Sequence, residues 1–108
     1  MKHAEFLKQV RERIEKAEAW TQHAAARNAE GMKCTTDSPE AVCWCTIGSF
    51  WASSYVVKTS EEFLAAVFNY LQDQMGNDVA KFNDNHTHAE VLAAIDRAII
   101  VAEEMNTP

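Results

Sequence analysis

From Lys2 to Glu18, the apolar residues Phe6, Leu7, Val10, Ile14 and Ala17 recur at helical spacing among charged neighbours. That pattern predicts an amphipathic first helix. The next stretch, "WTQHAAARNAEGMKCTT", has little amphipathic order and carries Asn and Gly at turn positions. It predicts a small β-hairpin or irregular ribbon with Gly31 in its turn. "DSPE" then supplies Asp37 or Ser38 as a cap, Pro39 for a first turn and Glu40 to suit the dipole. A second helix is expected from about residue 39 to 54. Further on, Thr59 and Glu62 have capping-box spacing, Phe63, Leu64, Val67, Phe68 and Leu71 share a face, and Gly76 can end the helix. Thr87 and Glu90 repeat the capping-box spacing ahead of Val91, Leu92, Ile95, Ile99 and Ala102. The expected fold is mainly α, with about four helices packed as a single domain over residues 1–108.

The second helix is expected at the centre. Its segment, "AVCWCTIGSFWASSY", holds almost no charge and is apolar on nearly every side, as in an enclosed helix. Gly48 would weaken such a helix by about 1 kcal/mol relative to alanine. Close approach of another backbone or of a ligand is the usual reason for a glycine there. On a helix, Cys43 and Cys45 point about 200° apart and cannot share a metal or a disulfide. Beginning near residue 39, that helix would also put Cys45 beyond the first turn, where the dipole effect has faded. Cys45 then reads as a core thiol.

Composition narrows the function classes. Ten basic and sixteen acidic residues give a net charge of −6, with no acidic run longer than two. This balance disfavours direct nucleic-acid contact, which calls for a basic stripe. No apolar stretch has the length of a membrane span, and the charged N-terminal segment does not read as a signal peptide. Three cysteines, an odd number, point to free thiols and a cytoplasmic setting. No spacing asks for a metal or a cofactor.

Three stretches, "WTQHAAARNAEG", "AVCWCTIGS" and "FNDNHTHAEVLAAIDRAI", carry a resemblance over most of the chain. Their residues Trp20, Thr21, Gln22, Ala26, Arg27, Gly31, Trp44, Cys45, Gly48, Asn83, Asp84, Thr87, Glu90, Val91, Asp96 and Ala98 are the positions concerned. In that order they resemble a small family of uncharacterised bacterial and phage proteins, a domain of unknown function. The resemblance brings no activity or cofactor, and His86 and His88 lie outside its pattern. It implies a candidate binding surface of Trp20, Gln22, Arg27, Trp44, Cys45, Asn83, Asp84 and Asp96. Asp96 borders an apolar helix stripe, so a pairing with Arg27 is expected. The alternative to a pocket is a polar network that pins ribbon to last helix.

These features favour a non-enzymatic binding protein of bacterial or phage type, engaging a host protein or a small polar ligand. Antagonism of a host defence is one such role. The runner-up is a thiol hydrolase or transferase using Cys45, with His86 or His88 as base.

Overall fold

A computed structural model describes residues 1–105. Helix α1 (His3–Arg13) is followed by a single 3-10 turn (Ala17–Ala19) and strand β1 (Ala26–Arg27). Strand β2 (Cys43–Trp44), then helices α2 (Thr46–Val56), α3 (Glu61–Met75), α4 (Val79–Asn85) and α5 (His88–Met105) complete the order. The fold is mainly α, with a small antiparallel ribbon between α1 and α2. α1 packs on α5, α2 and α3, while α3 packs on α5 and α2 on α4. Phe6, Leu7, Val10, Ile14, Phe50, Val67, Leu71, Val91 and Ile95 fill the space between them. Phe6 and Phe68 both meet the Phe50 ring edge-on, at 5.4 and 5.2 Å between centroids.

Among the described residues, five helices stand where about four were expected. The additional helix, α4, spans 7 residues, too few for its apolar positions Val79 and Phe82 to show a period. Asp78 starts it by accepting the Lys81 amide at 3.0 Å. A separate departure is at α2, which begins at Thr46 rather than near residue 39. In place of a helical first turn, Ser38–Ala41 form turns, with the Ser38 hydroxyl accepting the Glu40 amide. Cys43 and Trp44 then pair with Arg27 and Ala26. The Val42 amide reaches the Arg27 carbonyl, and the Trp44 carbonyl accepts the Thr21 amide. Backbone groups committed across a ribbon are not available to a helix. Pro39 therefore serves a turn.

The first helix is also shorter than its pattern, ending at Arg13 because Ile14 leaves helical geometry. Ser60, not Thr59, caps α3, accepting the Phe63 amide at 3.1 Å. Gly76 ends that helix at φ 92°, a conformation natural to glycine. The second capping box forms as expected. Thr87 Oγ1 accepts the Glu90 amide at 3.1 Å, and Glu90 returns the bond to the Thr87 amide at 2.9 Å.

Helix α2 packs on α1, α4 and β2, yet it is not enclosed. It buries Thr46, Gly48, Ser49, Phe50, Ala52 and Ser53, while Trp51, Tyr55 and Val56 are 44%, 55% and 73% exposed. Ser49 satisfies its buried hydroxyl by donating to the Val10 carbonyl at 2.7 Å. Gly48 is where the backbone of Ala25 crosses the helix. A Cβ built on it would lie 1.8 Å from the Ala25 carbonyl oxygen. The close approach expected of this glycine is therefore real, and the ribbon makes it.

Candidate functional site

The polar residues singled out from the sequence divide into a hub, an attached turn and one residue that lies elsewhere. Asn83, fully buried on α4, is the hub. Its Oδ1 accepts from Trp20 Nε1 at 2.8 Å, the Thr46 amide at 3.0 Å and Thr46 Oγ1 at 2.9 Å. Its Nδ2 donates to the Thr21 carbonyl at 3.1 Å and to Asp84 Oδ1 at 3.2 Å. Gln22 Nε2 reaches the carbonyls of Asn83, Asp84 and His86 at 3.0–3.2 Å. Those are the orphan acceptors at the C-terminal end of α4, so this side chain is a helix cap. Ribbon, α2 and α4 thus meet in one hydrogen-bonded knot.

Arg27 belongs to the turn beside it. It donates to Thr21 Oγ1, the Gly31 carbonyl and the Gln22 carbonyl at 3.0–3.2 Å. The expected Arg27–Asp96 pair does not form. Asp96 instead receives Arg11 of α1, with Nε to Oδ1 at 2.6 Å and Nη2 to Oδ2 at 3.4 Å. α1 lies directly on α5, and Arg11 stands opposite Asp96 before the ribbon can reach it. Both partners keep solvent contact, at 27% and 49% side-chain exposure. The carboxylate beside the apolar stripe is a surface ion pair.

Trp44 is half-buried rather than central. Its Nε1 donates to the Thr36 carbonyl at 3.2 Å, and the Arg13 guanidinium lies over its ring, 5.2 Å from the centroid. Burial lowers the Arg13 pKa from its ordinary value. Trp20 likewise gives its Nε1 to Asn83 and packs its ring against His88. The two indoles are therefore already committed as donors. With Gln22, Arg27 and Asn83 equally engaged, the polar cluster holds the ribbon onto α2 and α4 and leaves few groups to meet a polar ligand.

Cys45 occupies a different place from the one its spacing suggested. It is the N-cap of α2, and its Sγ accepts the Gly48 amide at 3.3 Å. Burial pushes the thiol above its ordinary value, the Gly48 and Ile47 amides pull it partly back, and the Asp84 charge adds to the rise. His86 and His88 do not serve it. His86 stacks on Phe82 with Nδ1 2.7 Å from the Phe82 carbonyl, and His88 Nε2 lies 2.6 Å from the Ile14 carbonyl. The residues around a cleft of about 230 Å³ at Cys45 are His23, Ala24, Ala25, Ile47, Ala80 and Asp84. His23, at φ 64°, gives its amide to Asp84 Oδ1 at 2.8 Å and brings Nδ1 to 3.5 Å from Oδ2.

One apolar opening was not anticipated. Between α2 and α3 lies a groove of about 480 Å³ lined by Ile47, Phe50, Trp51, Leu64, Ala65 and Phe68, with Glu61 at its edge. Ile47, Trp51 and Tyr55 follow one another at four-residue spacing along α2. That signal was present in the sequence, but a helix read as enclosed gave no reason to place it outside. Among the described residues, no group of three His, Cys, Asp or Glu side chains could hold a metal ion, and no helix is long and apolar enough to cross a membrane.

A small helical domain, with a two-stranded ribbon locked to its helices by a buried asparagine, is the class of protein defined by these features. The chain belongs to a family of unknown function, DUF6197, whose model matches residues 1–100. No curated protein and no solved structure matches it.

Proposed function

We propose that the protein is a binding module of bacterial or phage type that takes an apolar segment of a partner protein into the α2–α3 groove. One observation carries this reading: α2 turns Thr46, Ser49 and Ser53 inward while Trp51, on the wall of the groove, is 44% exposed. An aromatic side chain left half-exposed beside other apolar groups is surface that burial would stabilise, and contiguous exposed apolar surface marks interaction sites. The groove has the volume of a typical ligand pocket and almost wholly apolar walls. An amphipathic helix with apolar anchors one turn apart suits it. Charge selects further among such segments. Glu61 stands at the edge, Glu62 follows it, and the chain carries a net charge of −6, so the partner has basic residues beside its anchors. The three free thiols suit a reducing cytoplasm as the setting.

Fluorescence anisotropy with two synthetic amphipathic helices tests the proposal. They share Leu and Phe anchors, one flanked by lysines and the other by glutamates. Saturable binding of the lysine peptide, at least tenfold weaker binding of the glutamate peptide, and loss of binding in Trp51→Glu support the groove. Thermal melts show whether Trp51→Glu stays folded, as expected for a half-exposed position. Equal binding of the two peptides, no saturation, or unchanged binding in Trp51→Glu overturns the reading.

A further inference from the structure

We infer that the cleft on the other side of Ile47 is a thiol acyl-transfer site, with Cys45 as nucleophile, His23 as base and a short neutral acyl thioester as substrate. Three chemically distinct groups from three segments converge there. Cys45 comes from the start of α2, His23 from the loop before β1, and Asp84 from α4. Asp84 Oδ1 accepts the His23 backbone amide at 2.8 Å, and its Oδ2 lies 3.5 Å from the ring Nδ1. With Asp84 on the Nδ1 side, Nε2 is the ring nitrogen assigned to take a proton. The first-turn amides of Ile47 and Gly48 face the Cys45 sulfur, where they can also receive negative charge developing on an attacked carbonyl oxygen.

The walls decide the substrate. Ala24, Ala25, Ala80 and Ile47 leave about 230 Å³ between small apolar side chains, room for a short acyl chain. Asp84 is the only acid among the lining residues, so a neutral acyl group enters more readily than one bearing a carboxylate. Burial disfavours the thiolate, so the Cys45 thiol needs a base to react. His23 is largely exposed and its contact with Asp84 is loose, which suits an activated ester better than an amide. A departing thiolate requires less help from an acid than a departing amine.

In the step, His23 Nε2 removes the Sγ proton and Cys45 Sγ bonds to the acyl carbon. The carbon–sulfur bond of the substrate thioester breaks. The departing thiolate takes the proton from His23, leaving an acyl group on Cys45 and a free thiol. No oxidant or reductant is involved. Cys45 and His23 are the reacting groups, and Asp84 positions the ring.

The test is acylation of the full chain by the butyryl and succinyl thioesters of N-acetylcysteamine, followed by intact mass and peptide mapping. One butyryl group on Cys45, with Cys34 and Cys43 unmodified, is expected. The succinyl thioester should react much more slowly. Cys45→Ser keeps an acceptor for the Gly48 amide and should lose the adduct without losing the fold. His23→Asn tolerates the same left-handed backbone and should slow acylation by roughly a hundredfold. Asp84→Asn should slow it with an unchanged melt, and Asp84→Glu should restore part of the rate. Modification only of Cys34 or Cys43, no modification, or acylation of Cys45 at an equal rate in His23→Asn overturns the inference. Peptide binding in the groove reads out separately, so either result leaves the other standing.

Discussion

Gly48→Ala sets helix propensity directly against packing. On an open helix surface the substitution would stabilise by about 1 kcal/mol. Here the added methyl would stand 1.8 Å from the Ala25 oxygen, 2.8 Å from its carbonyl carbon and 3.3 Å from its Cα. All three are backbone atoms, so no side-chain rotation relieves the overlap. The Ala25 oxygen must retreat by about 1.2 Å to reach even 3.0 Å, a separation below which real Cβ contacts essentially do not occur. That oxygen also accepts the Cys45 amide at 3.2 Å, and the next residue, Ala26, pairs with Trp44. Moving it strains or breaks the seam between ribbon and α2. Overpacking costs about 1–3 kcal/mol, and a stranded amide adds about 1–3 kcal/mol. Set against the propensity gain, a net loss of about 3 kcal/mol is expected for Gly48→Ala, and more for Gly48→Val. Urea denaturation followed by tryptophan fluorescence measures it. With a slope of about 2 kcal/mol/M, the midpoint falls by about 1.5 M. A midpoint for Gly48→Ala equal to or above wild type, with the slope unchanged, would refute the close-approach argument.

Two other predictions concern charge. A double-mutant cycle between Arg11→Met and Asp96→Leu should give a coupling of about 1 kcal/mol or less, as for other solvent-exposed pairs, while Arg27→Met with Asp96→Leu should be additive. A coupling between Arg27 and Asp96 above that level in chemical denaturation would contradict the observed pairing. At the start of α5, the Thr87 amide and then its hydroxyl hold the Glu90 carboxyl below its usual range. A depressed carboxyl stabilises the fold above the ordinary carboxylate range, and loses that contribution as pH falls through its lowered value. Glu90→Gln should therefore melt below wild type at neutral pH, with the gap closing in strong acid. A gap independent of pH would refute the linkage.

Local pattern determined the α-rich class, the faces of α1, α3 and α5, and the Thr87–Glu90 box. These rest on periodicity and on bonds spanning three or four residues, which a sequence displays directly. Gly48 was also legible, because a glycine inside an apolar segment has few causes. The start of α2 was not. "DSPE" has the composition of a helix entry, but Cys43 and Trp44 spend their backbone groups on β1, a partner sixteen or more residues earlier. Propensity cannot weigh a pairing whose other half lies across a loop. The same non-local contact turned Cys45 from a mid-helix thiol into an N-cap. Asp96 shows the limit for charges. Its position by an apolar stripe was readable, but whether Arg11 or Arg27 met it depended on which element packed on α5. The polar residues of the ribbon were recognised as a set, whereas their sharing of Asn83 and the C-terminal end of α4 came from folding. The outward aromatics of α2 came from tertiary packing too. Phe50 in the core, Gly48 against Ala25 and Ser49 on the Val10 carbonyl together set the rotation of that helix, and Trp51 and Tyr55 are left facing solvent.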